Sequence, residues 1–378
     1  MSDTLVSDTG IPRRAPTLAG FFSLGLFWGA WAAVLPSVQH ATGLSKGALG
    51  VAMLFVSLGS IPVMFFVAPR AIERFGARSV AVGCAFFAVA TLLPGLATAL
   101  PALVLSLAAC GMASGLVDVS INANVGRIEN ATGKRLQPIA HGTYSIGVLV
   151  GAVGAGLARS AGSGREPILI AVSVVVAFTA LLVSTDHARV HAERSRGLRF
   201  ARGLVAIGIV GAVAFIVEGG TESWSALFLE RQLHAHPAVS GLGPGIFGGS
   251  MAFGRFFGQA AGRFSDRVLL GGGAALAAVG CGIAAMATTA PVGLVGFALA
   301  GAGISLNAPI VFGFAGRRPD AGTAVATVTS LGYVGLLVGP PLVGGIAQAT
   351  SLRVSFGVLA VIAAAVVVAA TRLRFDEV

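Results

Sequence analysis

Charge is scarce in this chain. Only 11% of its 378 residues are charged, against about a quarter in an ordinary soluble domain, which excludes a water-solvated globular surface. Acids number 15 against 25 Lys and Arg, for a net charge of +10. The basic residues nevertheless lie in short gaps between apolar runs and form no stripe with interleaved aromatics, so nucleic acid is excluded as a partner. Cysteine is limited to Cys84, Cys110 and Cys281, all inside apolar runs, and neither a disulfide framework nor a zinc site is expected. His187 and His191 stand one helical turn apart without a further ligand nearby, so no metal and no cofactor is expected. No nucleophile is paired with a base, and the chain is read as not an enzyme. At the N-terminus Asp3 and Asp8 precede Arg13 and Arg14; this lacks the order of a cleavable signal, and the Arg pair is read as the cytoplasmic flank of the first helix.

What the chain has in abundance is apolar length. Hydrophobic residues make up 55% of it and the mean hydropathy is +0.88, which places it in a lipid bilayer. Twelve runs reach the roughly 20 residues a crossing needs: 17–35, 47–67, 79–98, 100–124, 139–158, 167–185, 203–228, 242–262, 271–290, 292–314, 322–348 and 351–371. The expected fold is an all-α integral membrane protein of twelve transmembrane helices. An even number puts both termini on one side. If that side is the cytoplasm, nineteen of the 25 basic residues fall there. Lys46, Arg159, Arg165, Arg231 and Arg353 fall opposite, and Arg255 lies inside a span. This is the asymmetry of the positive-inside rule, and it predicts a multi-pass protein of the inner or plasma membrane with both termini cytoplasmic.

The 54 glycines carry no collagen-like period and are read as close-approach points between helices. Several form GxxxG pairs: Gly25/Gly29, Gly111/Gly115, Gly147/Gly151, Gly254/Gly258/Gly262 and Gly335/Gly339. Gly243, Gly245 and Gly248 satisfy GxGxxG but open a span instead of a strand-turn-helix, so dinucleotide binding is not expected.

The stretch 186–202, DHARVHAERSRGLRFAR, is the one long polar interruption, close to the midpoint. It predicts an N-terminal six-helix bundle over 1–185, a cytoplasmic linker over 186–202 and a C-terminal six-helix bundle over 203–378. The halves echo each other. PRAIERFGAR at 69–78 and GRFSDRVLLG at 262–271 each follow the second span of their half, and GVLVG at 147–151 parallels GLLVG at 335–339. Duplication of this kind points to a transporter with two pseudo-symmetric bundles.

Within the spans, polar residues are few and informative. Asp118 and Asn122 stand at i and i+4 in GMASGLVDVSINAN, so they share one helix face, and an intramembrane carboxyl is a functional candidate. Glu218 and Glu222 flank Gly219 and Gly220, where the helix is expected to loosen and expose carbonyls. Every other acid lies in a tail, in a loop or at a span boundary. Arg255 needs a partner, and Asp118, Glu218 and the substrate are all candidates.

These motifs resemble the major facilitator superfamily. The first signature loop has Glu73, Arg74, Gly76 and Arg78 in register with Gly-x-x-x-Asp-Arg-x-Gly-Arg-Lys, Pro69 replacing the first Gly and Ala77 the first of the two basic positions. GLVDVSINAN (115–124), AHGTYSIG (140–147) and VEGGTESWSALFL (217–229) are similar to the fucose-permease branch and its YbjJ-type relatives. Helix 1 differs from the sugar permease in offering Ser23, Trp28 and Trp31 but no acid. The resemblance implies a cavity lined by helices 1, 4, 7 and 10, which would place Asp118, Glu218, Glu222 and Asn307 around it.

The function expected is a secondary active transporter working by alternating access, as a proton-coupled symporter importing a small polar, sugar-like solute. The alternatives are a proton-antiport exporter of drugs or metabolites and a non-transporting sensor. A carboxyl hidden from water in one state and wetted in another can take up and release a proton, so the coupling ion is expected to be H+. Asp118 would bind it, with Glu218 as a second acid and His141 on the cytoplasmic exit path. Asn122, Trp28, Tyr144, Glu222, Trp224, Arg255 and Asn307 are the substrate-contact candidates, the aromatics either stacking on a ring or simply packing. Glu73, Arg74, Asp266 and Arg267 are expected to gate. The expected partners are a small-molecule substrate and the lipid bilayer, with the chain acting as a monomer.

Overall fold

A backbone in lipid must satisfy its own hydrogen bonds, and helices do so within one segment. The computed structural model describes residues 11–186, 202–260, 264–318 and 321–372, and these are helical almost throughout, with no strand among them. The elements are α1 (Arg14–Thr42), α2 (Lys46–Pro62), a π-helical stretch (Val63–Val67), α3 (Ala68–Phe75), a 3-10 turn (Gly76–Arg78), α4 (Ser79–Ala90), α5 (Leu93–Leu96), α6 (Leu100–Thr132), α7 (Gln137–Ser160) and α8 (Arg165–Ser184). They are followed by α9 (Arg202–Gln232), α10 (Pro237–Ser240), α11 (Leu242–Ala260), α12 (Asp266–Met286), α13 (Ala290–Ile304), α14 (Asn307–Gly316), α15 (Ala321–Ala349) and α16 (Leu352–Arg372). Residues 187–201, which hold His187, His191 and nearly all of the expected linker, lie outside the described residues.

Among the described residues, 10 helical segments are long and apolar enough to cross a membrane. One of them, Lys46–Leu96, has 51 residues. At 1.5 Å per residue that is more than twice a hydrocarbon core of about 30 Å, and it turns back at Gly76, whose φ is 58°, so it holds two crossings. Leu242–Ala260, 19 residues, occupies the position of the eighth expected span. The architecture is thus consistent with twelve crossings in two six-helix bundles, α1–α8 and α9–α16.

Several helices outrun their apolar runs. α1 continues through Pro36 to Thr42 and α6 to Thr132, and they end at Gly43 and Gly133, which stand in the left-handed region at φ 63° and 66°. Proline sets the irregular points. Pro309 has no N–H to bond the carbonyl of Ser305, and the tenth span divides there into α13 and α14. Pro69 likewise cannot bond Phe65, and the π-helical stretch sits immediately before it, closed by Ala68 donating to Val63.

Glycine builds the seams within each bundle. A Cβ on Gly25 would lie 2.0 Å from the carbonyl oxygen of Tyr144, one on Gly29 2.1 Å from that of Val148, and one on Gly151 2.1 Å from that of Leu26. Only bare backbone fits between α1 and α7. The second bundle repeats the relationship: Gly335 would meet the carbonyl oxygen of Ala212 at 2.0 Å and Gly339 that of Ile216 at 2.8 Å, joining α15 to α9. α2 and α6 are joined through Gly59 and Gly111, and α11 and α13 through Gly301. The internal echo read from the sequence is therefore a structural repeat. Large exposed side chains such as Phe66, Phe86, Leu105, Phe178 and Val361 form the outward surface that hydrocarbon solvates.

Candidate functional site

Between the bundles lies a cavity of about 360 Å³, within the roughly 300–1,000 Å³ range of small-molecule sites. Both halves line it. Trp28 and Trp31 of α1, Ser57 and Ser60 of α2, Ser114 and Asp118 of α6, and His141 and Tyr144 of α7 face Glu218 and Glu222 of α9, Arg255 of α11, Phe312 of α14 and Tyr333 of α15. The lining thus extends beyond the first, fourth, seventh and tenth crossings.

Of the three acids lining the cavity, Asp118 is the best connected. Asn122, one turn on, donates its Nδ2 to Oδ1 at 3.1 Å and to the Asp118 backbone oxygen at 2.9 Å. From the other bundle the Tyr333 hydroxyl donates to Oδ2 at 3.3 Å. A chain of amides leads away from this point: Gln137 Nε2 donates to Asn122 Oδ1 at 2.8 Å and stands 3.0 Å from His141 Nε2. The His141 ring meets Phe21 edge-on at 5.5 Å between centroids.

Arg255 finds its partners at the helix break. Its Nη2 lies 3.9 Å from Glu218 Oε1, and its Nε donates at 3.4 Å to the Ser305 carbonyl that Pro309 leaves unbonded. Of the partners left open by the sequence, Glu218 is the one found. Glu222 differs from both other acids: its Oε1 is enclosed and has no hydrogen-bond partner among the described residues.

Several expectations need relocation. Helix α9 runs unbroken through Gly219 and Gly220, and these glycines serve packing, Gly219 against Leu336 and Pro340 and Gly220 against Val343 and Leu359. Trp224 is fully buried and donates its Nε1 to the Pro340 carbonyl at 3.0 Å, so it is not among the lining residues. Asn307 is off the cavity too, beside a void of about 10 Å³ with Leu270, Ala274 and Val366. Asn122 touches the cavity only through Asp118. In the signature loops Asp266 opens α12 and pairs with Arg317 at 2.6 Å, while the Arg74 guanidinium lies 5.7 Å from the centre of the Phe75 ring. Glu73 and Arg267 make contacts of their own.

Three contributors were invisible in the sequence: Gln137, Tyr333 and the pair Arg159 and Glu230. Arg159 of α7 grips Glu230 of α9 with two bonds of 2.9 Å, and also donates to Ser37 at 2.7 Å and to the Ala33 carbonyl at 2.9 Å. Ser240 adds a bond to Glu230 at 3.0 Å. At the same end of the molecule the bundles meet through glycine, Gly50 against Pro341 and Gly344, and Gly156 against Pro237 and Gly241. Net charge had marked Arg159 only as a loop residue; its 122-residue separation from Ser37 and 71-residue separation from Glu230 leave no local signal.

The geometry agrees with what the chain is similar to. The sequence profile of the Major Facilitator Superfamily matches residues 17–321 and 207–378. An uncharacterised MFS-type transporter of Yersinia pestis is 33% identical over 369 residues, covering 93% of this chain and 94% of the relative. Among solved structures, a variant of the nucleoside transporter NupG superposes with a TM-score of 0.77 at 13% identity, covering 95% of this chain and 99% of that one. The E. coli fucose:proton symporter FucP superposes with 0.63 at 16% identity, covering 95% and 98%. The chain belongs to the major facilitator superfamily of membrane transporters.

Proposed function

We propose that this transporter couples the entry of a small polar solute to a proton carried by Asp118. The observation that carries the reading is the double hold on that carboxyl, by Asn122 from its own helix and by Tyr333 from the opposite bundle. An ionised carboxylate accepts from both donors; a neutral one is the weaker acceptor. Proton uptake at Asp118 therefore loosens a contact between the halves, which is what a coupled carrier needs. The solute sits in the same cavity, and Gln137 and His141 connect Asp118 toward one rim. The fucose and nucleoside specificities named for FucP and NupG support a small polar cargo.

In this reading residues 1–185 and 203–378 are the two moving bodies and 186–202 joins them in the cytoplasm. The positive-inside count puts both termini inside an inner or plasma membrane and makes the end sealed by Arg159 and Glu230 the outer one. Asp266 and Arg267, with Glu73 and Arg74, gate the inner end.

The test uses purified protein in proteoliposomes with a pH dye inside, and L-fucose, uridine and a panel of polyols outside. A solute that enters should acidify the lumen in step with its own uptake. Asp118→Asn should abolish accumulation against a gradient while retaining exchange of labelled solute. Accumulation by Asp118→Asn equal to that of the unaltered chain defeats the coupling, and luminal alkalinisation on solute entry assigns antiport instead.

A further inference from the structure

The cavity holds three carboxyls and one guanidinium among the described residues, and two of those carboxyls are provided for. Asp118 has Asn122 and Tyr333; Glu218 has Arg255. Glu222 is left over. It lines the cavity, and its Oε1 is enclosed without a hydrogen-bond partner among the described residues. A carboxylate in a lipid-surrounded wall is costly unless a cation or donor completes it. Trp28 and Trp31 line the same space, and the faces of aromatic rings attract ammonium groups.

We infer that the transported solute carries an amine, and that Glu222 is the residue which receives its ammonium group. This rests on the transport reading and narrows its cargo to an organic cation small enough for about 360 Å³. Arg255 lines the same cavity, and its charge disfavours a second cationic group on the solute, which leaves a monoamine. Because the proton is assigned to Asp118 and the ammonium to Glu222, both can be aboard together, and the cation does not displace the proton.

The experiment is a set of ligand titrations of the purified full chain, read by its thermal unfolding midpoint and by isothermal calorimetry. Ligands come in size-matched triplets of amine, alcohol and acid: ethanolamine, ethylene glycol and glycolate; glucosamine, glucose and glucuronate; phenethylamine, phenethyl alcohol and phenylacetate. The expected result is that in at least one triplet the amine binds about tenfold or more tightly than its neutral and acidic counterparts. Glu222→Gln should remove that preference, and Glu222→Asp, a control for folding, should keep most of it. Binding of only neutral or acidic members, no binding by any amine, or an amine preference intact in Glu222→Gln overturns the inference. An amine that binds through Glu222 yet moves no protons in proteoliposomes leaves the inference standing and overturns the proton coupling, so the two failures are distinguishable.

Discussion

Tyr333 and Asp118 are 215 residues apart in sequence and 3.3 Å apart in space, hydroxyl to carboxylate, across the plane that divides the two bundles. A hydrogen bond to a charged group contributes about 1.5–3 kcal/mol. Tyr333→Phe removes the hydroxyl and keeps the ring that lines the cavity. Accumulative uptake should fall by roughly tenfold or more at unchanged solute affinity, measured as the ratio of uphill uptake to equilibrium exchange. A parallel fall in affinity would place Tyr333 on the solute instead.

Gln137 links Asn122 to His141 through one amide. Gln137→Leu should slow proton-linked uptake, and Asn122→Leu should slow it by a similar factor. The informative measurement is the double variant: residues acting through one chain of bonds are non-additive, so the pair should be little worse than either alone. Additive losses would mean that the two amides act separately.

Arg159 and Glu230 form a largely buried pair, with side-chain exposures of 6% and 18%. Glu230→Gln leaves the guanidinium without its counter-charge, and breaking such a pair on one side costs about 3–5 kcal/mol. That cost falls on the arrangement in which this end is sealed. A cysteine placed by Ser37→Cys should therefore react faster with a membrane-impermeant maleimide in the Glu230→Gln background. Cys84, Cys110 and Cys281 are all buried, so the background reaction is small.

The glycine seam makes a stability prediction with its own control. Gly29→Val forces a side chain to within 2.1 Å of the Val148 carbonyl, and overpacking of this kind costs about 1–3 kcal/mol or more. Its thermal midpoint should drop clearly or folded protein should be lost. Gly126 has nothing within 4 Å of its would-be Cβ, so Gly126→Ala should be neutral or stabilising by up to about 1 kcal/mol.

The crossings were legible because lipid imposes a length and a composition that single stretches of sequence must meet. Asp118 and Asn122 were legible for a related reason: polar residues one turn apart on one helix need no knowledge of the fold. Tyr333 and Gln137 were not, since each matters through a partner on another element. Asn307 illustrates the opposite failure. It lies on a lining helix, but the break forced by Pro309 turns it toward α12 and α16 and presents the Ser305 carbonyl to Arg255 instead. The expected loosening at Gly219 and Gly220 failed because close neighbours on α15 and α16 fill the space that the missing side chains leave.

At the sealed end one bundle meets the other glycine to glycine, Gly50 on Gly344 and Gly156 on Gly241, with Gln348 seated against Gly47 and Leu149 against Gly245 beside them. Parting them undoes this close packing together with the Arg159 and Glu230 clasp. A carrier built this way must let go of a charged clasp and a tightly fitted seam in one movement, and its cycling rate should be set by how quickly the two give way together.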